Sequence, residues 1–137
     1  MGSSKLTHYE VSASRISPHR TRVTTEDGEL VVGHDVNPVE CLLGSVLACL
    51  NSTGTMVAHD MDIDIESLEA TVEGDVNYAT YLGKDSEDRP GLQELDVSLS
   101  VETEGDADLD AWLSAVKERC PVTDNVGHET GLSVTLD

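Results

Sequence analysis

Three thiols carry the widest chemical reach in this 137-residue chain: Cys41, Cys49 and Cys120. A cysteine acts as a nucleophile or metal ligand only as its thiolate, so what surrounds each sulfur decides its use. Cys41 and Cys49 stand eight residues apart in one apolar helical stretch, a separation of about 12 Å in rise and roughly 80° in azimuth. A disulfide needs alpha carbons within about 7 Å, so these two do not bond to each other on that helix. An intrachain thiol partner for Cys49, if it has one, leaves Cys120. The setting of Cys120 favours reactivity: Arg119 precedes it, and Pro121 can open a helical turn whose amino end favours a thiolate. Read from its neighbours alone, Cys49 is a packing residue, because apolar surroundings raise a thiol's pKa unless a cation reaches it. Cys41 reads the same way.

No other constellation competes. His8, His19, His34, His59 and His128 show no H-x-x-x-H spacing, and no C-x-x-C occurs, so neither a metal nor a cofactor is expected. Asp60, Asp62 and Asp64 alternate like a calcium loop but lack its glycine and closing glutamate, and read as a solvated strand edge. G-x-G-x-x-G, the P-loop and G-x-S-x-G are absent.

The element that must position Cys49 runs from Asn37 to Ala58. Charged residues make up 26% of the chain, yet none falls between Cys41 and Ala58, which marks this stretch as core. Asn37 can accept from an orphan amide, Pro38 suits the first helical position, and Glu40 can bond back to the cap. Val39, Leu42, Leu43, Val46, Leu47 and Leu50 occupy more than one stripe. A helix this apolar must be covered by a sheet, a second subunit, or both.

Around it, Thr7 to Ser14, Thr21 to Thr25 and Glu29 to His34 read as three strands. Tyr9, Val11 and Ala13 share one face, and Asp27-Gly28 forms a hairpin turn. Arg15 to Arg20 reads as the turn joining the first two strands. Asp62 to Tyr78 alternates with a break near Glu66-Ser67, Lys84 to Gly91 reads as a mobile hairpin loop, and Leu95 to Glu102 is a strand with one wet face. Leu109, Trp112, Leu113 and Val116 follow helical spacing behind Asp106 or Asp108, and Pro121 ends that helix at Cys120. A further helical turn through Asn125 and a last strand from Gly131 to Leu136 follow. The pattern predicts one α+β domain over residues 1–137.

Twenty-seven acidic against eight basic residues give a formal charge of -19, which repels nucleic acid and anionic membrane surfaces. Carboxylates spread along the whole chain suit a high-salt cytoplasm. Three cysteines behind no basic-then-apolar leader at Met1 to Glu10 point to a reducing, cytoplasmic interior. Asn51, Ser52, Thr53 and Thr55 interrupt the uncharged segment, so no run long enough to span a bilayer is expected.

Asn37-Pro38, an apolar helix with Ala48-Cys49-Leu50, and a distant Cys120-Pro121 together resemble the OsmC/Ohr family, the osmotically inducible protein C and organic hydroperoxide resistance proteins. The resemblance covers nearly the whole chain. It implies an OsmC-like α+β fold, with antiparallel sheets around a buried central helix, in an intertwined homodimer. It also implies a thiol-dependent peroxidase acting on organic hydroperoxides. Cys49 would become a sulfenic acid, Cys120 would condense with it to a disulfide, and a dithiol reductant, lipoyl or thioredoxin-like, would reopen it. The family supplies an arginine near the reactive sulfur from its N-terminal strand region, where Arg15, Arg20 and Arg22 stand here; Arg20 and Arg15, in or beside the turn, are preferred. The hydroperoxide-resistance branch also has a glutamate directly after the proline. Here that position is Val39, and Glu40, one place later, lies about 180° around the helix from Cys49, which suits a cap; Glu40 is kept as a candidate catalytic residue beside Cys49, Cys120, Arg20 and Arg15 only as the replacement for that family glutamate. Two other readings stay open: a non-enzymatic binding or redox-sensing protein, and a thiol-disulfide exchange factor.

Overall fold

The structure, a computed structural model, describes residues 5–137; Met1 to Ser4, the start of the segment read as having no leader, lie outside the described residues. The chain divides into two compact units, one through Leu42 and one from Leu43 to Asp137.

The N-terminal unit holds a three-stranded antiparallel meander of β1 (Ser12–Ser17), β2 (Arg20–Thr24) and β3 (Glu29–Val32), in that order. Ser17 pairs with Arg20, so the first hairpin turns on Pro18-His19 alone. Two expectations are corrected here. The first strand begins at Ser12 rather than Thr7, because β2 ends at Thr24, opposite Ser12, and offers Tyr9 and Val11 nothing to pair with. For the same reason Arg15 is a strand residue, opposite Thr21, rather than part of the turn. The second hairpin closes as expected, with the Thr25 amide donating to the Gly28 carbonyl at 2.8 Å. Gly33, at φ +98°, lies so close to the first turn that a Cβ there would sit 1.8 Å from the His19 carbonyl oxygen. Only glycine fits both that conformation and that contact.

Helix α1 (Pro38–Asp60) starts with the anticipated reciprocal cap. The Glu40 amide donates to Asn37 Oδ1 at 2.8 Å, and the Asn37 amide to Glu40 Oε1 at 3.0 Å. It ends through Asp62, whose φ of 55° lets the Ile63 amide return to the Ala58 carbonyl at 2.8 Å. The alternating aspartates are therefore not a strand edge: Asp60 closes α1 and Asp62 makes the turn. Nor does the expectation of no bilayer-length run hold. Asn51, Ser52, Thr53 and Thr55 are polar but uncharged, the helix continues through them, and by length and composition it could cross a membrane. Part of it forms core: Val46, Leu50, Thr53, Gly54, Val57 and Ala58 fall on one buried stripe.

That stripe meets β4 (Ile65–Val76), β5 (Leu92–Thr103) and α2 (Leu109–Arg119). The two strands pair antiparallel, Ala70 opposite Leu99, with the register broken between Ile65 and Ser67 where the sequence pattern changes parity. Leu68, Leu99 and Val101 pack against a core of α1 residues with Trp112, Val116 and Cys120. Asp108 caps α2, accepting from the Ala111 amide. Then α3 (Pro121–Gly127) follows directly. The expected last strand is absent. Residues 131–136 find no neighbouring strand, and Leu132, Val134 and Leu136 are 85% exposed or more. A strand needs a partner for its amides and carbonyls, and the β4–β5 ladder supplies none.

Helices α1 and α2 approach closely in the core. Trp112, 2% exposed, sends its indole N–H to the Gly54 carbonyl at 2.9 Å, and a Cβ on Gly54 would lie 2.6 Å from Trp112 Cζ2. The ring is rigid and tethered, so it cannot swing aside. Gly54→Ala should therefore destabilise the protein within the upper part of the ~1–3 kcal/mol range for overpacking, although alanine is ordinarily the better helix former. A urea titration should show a lower midpoint at unchanged slope.

Candidate thiol site

Cys49 lies in the middle of α1 and is partly exposed; Thr53, one helical turn later on the same side, is buried. Cys49 Sγ and Thr53 Oγ1 are 3.8 Å apart, within reach of a weak hydrogen bond. Cys120 comes to the same place from the other side of the core. It is the last residue of one helix and the first of the next. Its amide donates to the Val116 carbonyl at 3.0 Å, and its own carbonyl accepts from the Asp124 amide at 3.1 Å and from Thr123 Oγ1 at 3.2 Å. The corner follows from Pro121, which holds the preceding residue extended, here at φ -81° and ψ 113°.

Cys120 is 1% exposed. Burial, the largest influence on its thiol, pushes the pKa up, but hydrogen bonding at the sulfur outweighs it: by the Thr123 hydroxyl, whose one proton is divided between the sulfur and the Cys120 carbonyl, the Thr123 backbone N–H, the Cys49 thiol and the Thr53 hydroxyl. The net shift is downward from the ordinary 9.0. The Thr123 N–H acts here as a dipole facing the sulfur, without a full side-chain cap bond. Cys49 packs against the core cluster that holds Cys120, and the hydroxyls of Thr53 and Thr123 both act on the Cys120 sulfur.

This arrangement corrects one expectation. Arg119 does not serve Cys120: its guanidinium pairs with Asp60 at 2.9 Å, tying the end of α1 to the end of α2 on the exposed side. The groups favouring the Cys120 anion are neutral donors instead. Thr53 and Thr123 were not singled out from sequence, although the i, i+4 spacing of Cys49 and Thr53 was visible, as was a hydroxyl three residues after Cys120.

The other candidates lie in the N-terminal unit or at its border. Arg15 is exposed on β1 and Arg20 is exposed at the start of β2. Arg22 lies 3.7 Å from Glu29 in a solvated ion pair. Glu40 has its carboxylate on the Asn37 amide, the capping role. Cys41 is in the first turn of α1 and donates its amide to the Asn37 carbonyl at 2.9 Å. Among the described residues, no group of histidine, cysteine and carboxylate side chains is placed to hold a metal ion.

Residues 31–135 match the family model of OsmC-like proteins. The fold is similar to an OsmC-like protein from Mycoplasma pneumoniae, with a TM-score of 0.77 at 16% identity over 90% of this chain and 89% of that one. It is also similar to an organic hydroperoxide resistance protein OsmC from Legionella pneumophila, with a TM-score of 0.60 at 23% identity over 90% and 91%. For the organic hydroperoxide resistance protein OhrB of Bacillus subtilis the values are 0.57 and 19%, over 91% and 94%. At these identities the likeness is one of fold, α+β with antiparallel sheets and a long helix. No curated protein matches the sequence. The high-salt expectation finds no support in these likenesses.

The donors around Cys120 give a pH-dependent signature. The 13Cβ resonance of Cys120 in cysteine-labelled protein should titrate at lower pH than an ordinary thiol. In Thr123→Val, which removes the hydroxyl favouring the anion, the midpoint should move up.

Proposed function

The chain belongs to the OsmC-like family, and from that premise we propose that it is a thiol-dependent peroxidase that reduces organic hydroperoxides. The observation that carries the reading is that Cys49, on α1, packs against the core cluster that contains Cys120. Exposure separates their roles. Cys49 is partly exposed, as a thiol that receives a peroxide must be, whereas Cys120 is buried, as suits a thiol that reacts afterwards with Cys49.

In the first step the Cys49 thiolate attacks the terminal peroxide oxygen. The S–O bond forms, the O–O bond breaks, and two electrons pass from sulfur to peroxide. The departing alkoxide takes up a proton and leaves as the alcohol. In the second step the Cys120 thiolate attacks Cys49 Sγ. The S–S bond forms, the S–O bond breaks, and hydroxide leaves and is protonated to water. A dithiol reductant, lipoyl or thioredoxin-like, returns both thiols by exchange. Arg20 or Arg15 is the proposed source of the cation that favours the Cys49 thiolate and the departing alkoxide. Glu40 enters only as the cap of α1.

The working form is proposed to be a homodimer. Leu42 and Met56 of α1 are 45% and 56% exposed in the single chain, although the helix carries no charge there to meet water. A second copy is the surface that would cover them. A second reading, a binding or redox-sensing protein without turnover, is favoured by Val39 standing where the hydroperoxide-resistance branch has its glutamate.

With cumene hydroperoxide and a dithiol reductant, the wild type should turn over. Cys49→Ser should abolish this, and Cys120→Ser should let Cys49 proceed to sulfinic acid, seen as two added oxygens by mass spectrometry. Arg20→Ala or Arg15→Ala should lower kcat/KM about 10–100-fold for whichever arginine serves Cys49. Turnover that persists in Cys49→Ser would sink the assignment. Reduction of protein disulfides without peroxide turnover would favour an exchange factor, and saturable ligand binding without turnover a binding protein.

A further inference from the structure

We propose that Thr53 is a further catalytic residue, whose hydroxyl bridges the two sulfurs and aligns Cys120 for its attack on Cys49. The inference rests on the peroxidase reading for the oxidised species, but the contacts that motivate it belong to the resting protein.

Three hydroxyl side chains follow Cys49 on α1, and they behave differently. Ser52 Oγ donates to the Ala48 carbonyl at 3.2 Å and Thr55 Oγ1 to the Asn51 carbonyl at 2.9 Å, both exposed and both turned back on their own helix. Thr53, 9% exposed, turns to the thiols instead: its Oγ1 is 3.8 Å from Cys49 Sγ, and it is among the donors acting on the Cys120 sulfur. A threonine on an apolar stripe could be simple packing. Valine, however, would fill the same shape without bringing a hydroxyl out of water, a loss that only a bonded hydroxyl offsets. The residue is also held still, since the next carbonyl along the chain, that of Gly54, takes the Trp112 indole N–H.

The chemistry needs such a group at one step. When Cys49 is a sulfenic acid, the Cys120 sulfur must stay anionic and face Cys49 Sγ opposite the departing hydroxide. By then the Cys49 thiol proton is gone, so one of the donors on Cys120 is lost. Thr53 stays in place and can still donate to the Cys120 sulfur while touching Cys49. It transfers no electron; it holds the nucleophile until S–S forms and S–O breaks.

The test compares full-length wild type with Thr53→Val, which keeps the shape, and Thr53→Ser, which keeps the hydroxyl. After one equivalent of cumene hydroperoxide, rapid quenching with alkylation and mass spectrometry follows the Cys49–Cys120 disulfide. Thr53→Val should close it about tenfold more slowly, as expected for one lost hydrogen bond to a charged group, and should accumulate dimedone-trapped sulfenic acid on Cys49. The Cys120 13Cβ titration should also move to higher pH in Thr53→Val. Thr53→Ser should restore both, a pattern that loss of packing would not give. Thr53→Ala replaces the valine variant if circular dichroism shows the latter unfolded. Wild-type closure with an unmoved titration in the folded hydroxyl-free variant would overturn the proposal, as would equal loss in Thr53→Ser. If wild type fails to react with any hydroperoxide, the peroxidase reading fails alone. The titration, with closure driven by diamide, still decides the part assigned to Thr53.

Discussion

The contact on which the thiol site depends contains no sulfur. It is the seating of the Trp112 ring against Gly54, with the indole N–H on the Gly54 carbonyl. A residue larger than glycine would hold α2 away from α1, and the Cys120 corner at the end of α2 would move with it. Gly54 is next to Thr53 and one turn beyond Cys49, so the residue that admits the tryptophan lies in the same part of α1 as Cys49 and Thr53. The Asp60–Arg119 pair adds a second tie at the far end of both helices. Being solvated on both sides, it is worth at most about 1 kcal/mol. The buried indole, whose donor is satisfied and whose ring is packed, therefore dominates the positioning.

Electrostatics gives this geometry its chemical sense. A thiolate in a chain of formal charge -19 meets a repulsive background. The structure offsets this at Cys120 with neutral hydroxyl, thiol and amide donors, and turns Arg119 outward to a carboxylate. Short-range donors in a site closed to water are little affected by dissolved ions, whereas exposed charges more than about 8–10 Å away are screened. Stabilisation of the Cys120 anion is thereby decoupled from the acidic surface. Cys49, by contrast, is partly exposed.

Local rules made parts of this legible in the sequence. The Asn37–Glu40 cap, the Pro121 corner, the Asp108 cap and the parity change near Ser67 each depend on a few neighbouring residues, and each lies where its pattern placed it. Other features depend on what the chain folds against. Arg15 looked like a turn residue until Ser17 paired with Arg20, because hairpin length is set by pairing rather than composition. Thr53 looked like an interruption of an apolar run. Its hydroxyl acquires meaning only when Cys120, distant in sequence, arrives beside it. Arg119 looked like a partner for Cys120 by adjacency, yet successive helical residues point about 100° apart, and that angle turns its side chain to Asp60.

The segments that disagree most with their own patterning share one property. Tyr9 and Val11 before β1, Leu132, Val134 and Leu136 at the other end, and Leu42 and Met56 on α1 are all apolar and all face water in the single chain. Isolated exposed apolar residues are ordinary on any protein surface. An alternating segment with no strand beside it is a different case, since its amides as well as its side chains lack partners. Sequence pattern and single-chain structure conflict at these places, and natural sequences seldom carry such conflict without a further contact to resolve it. The homodimer proposed for the thiol chemistry is a contact of that kind.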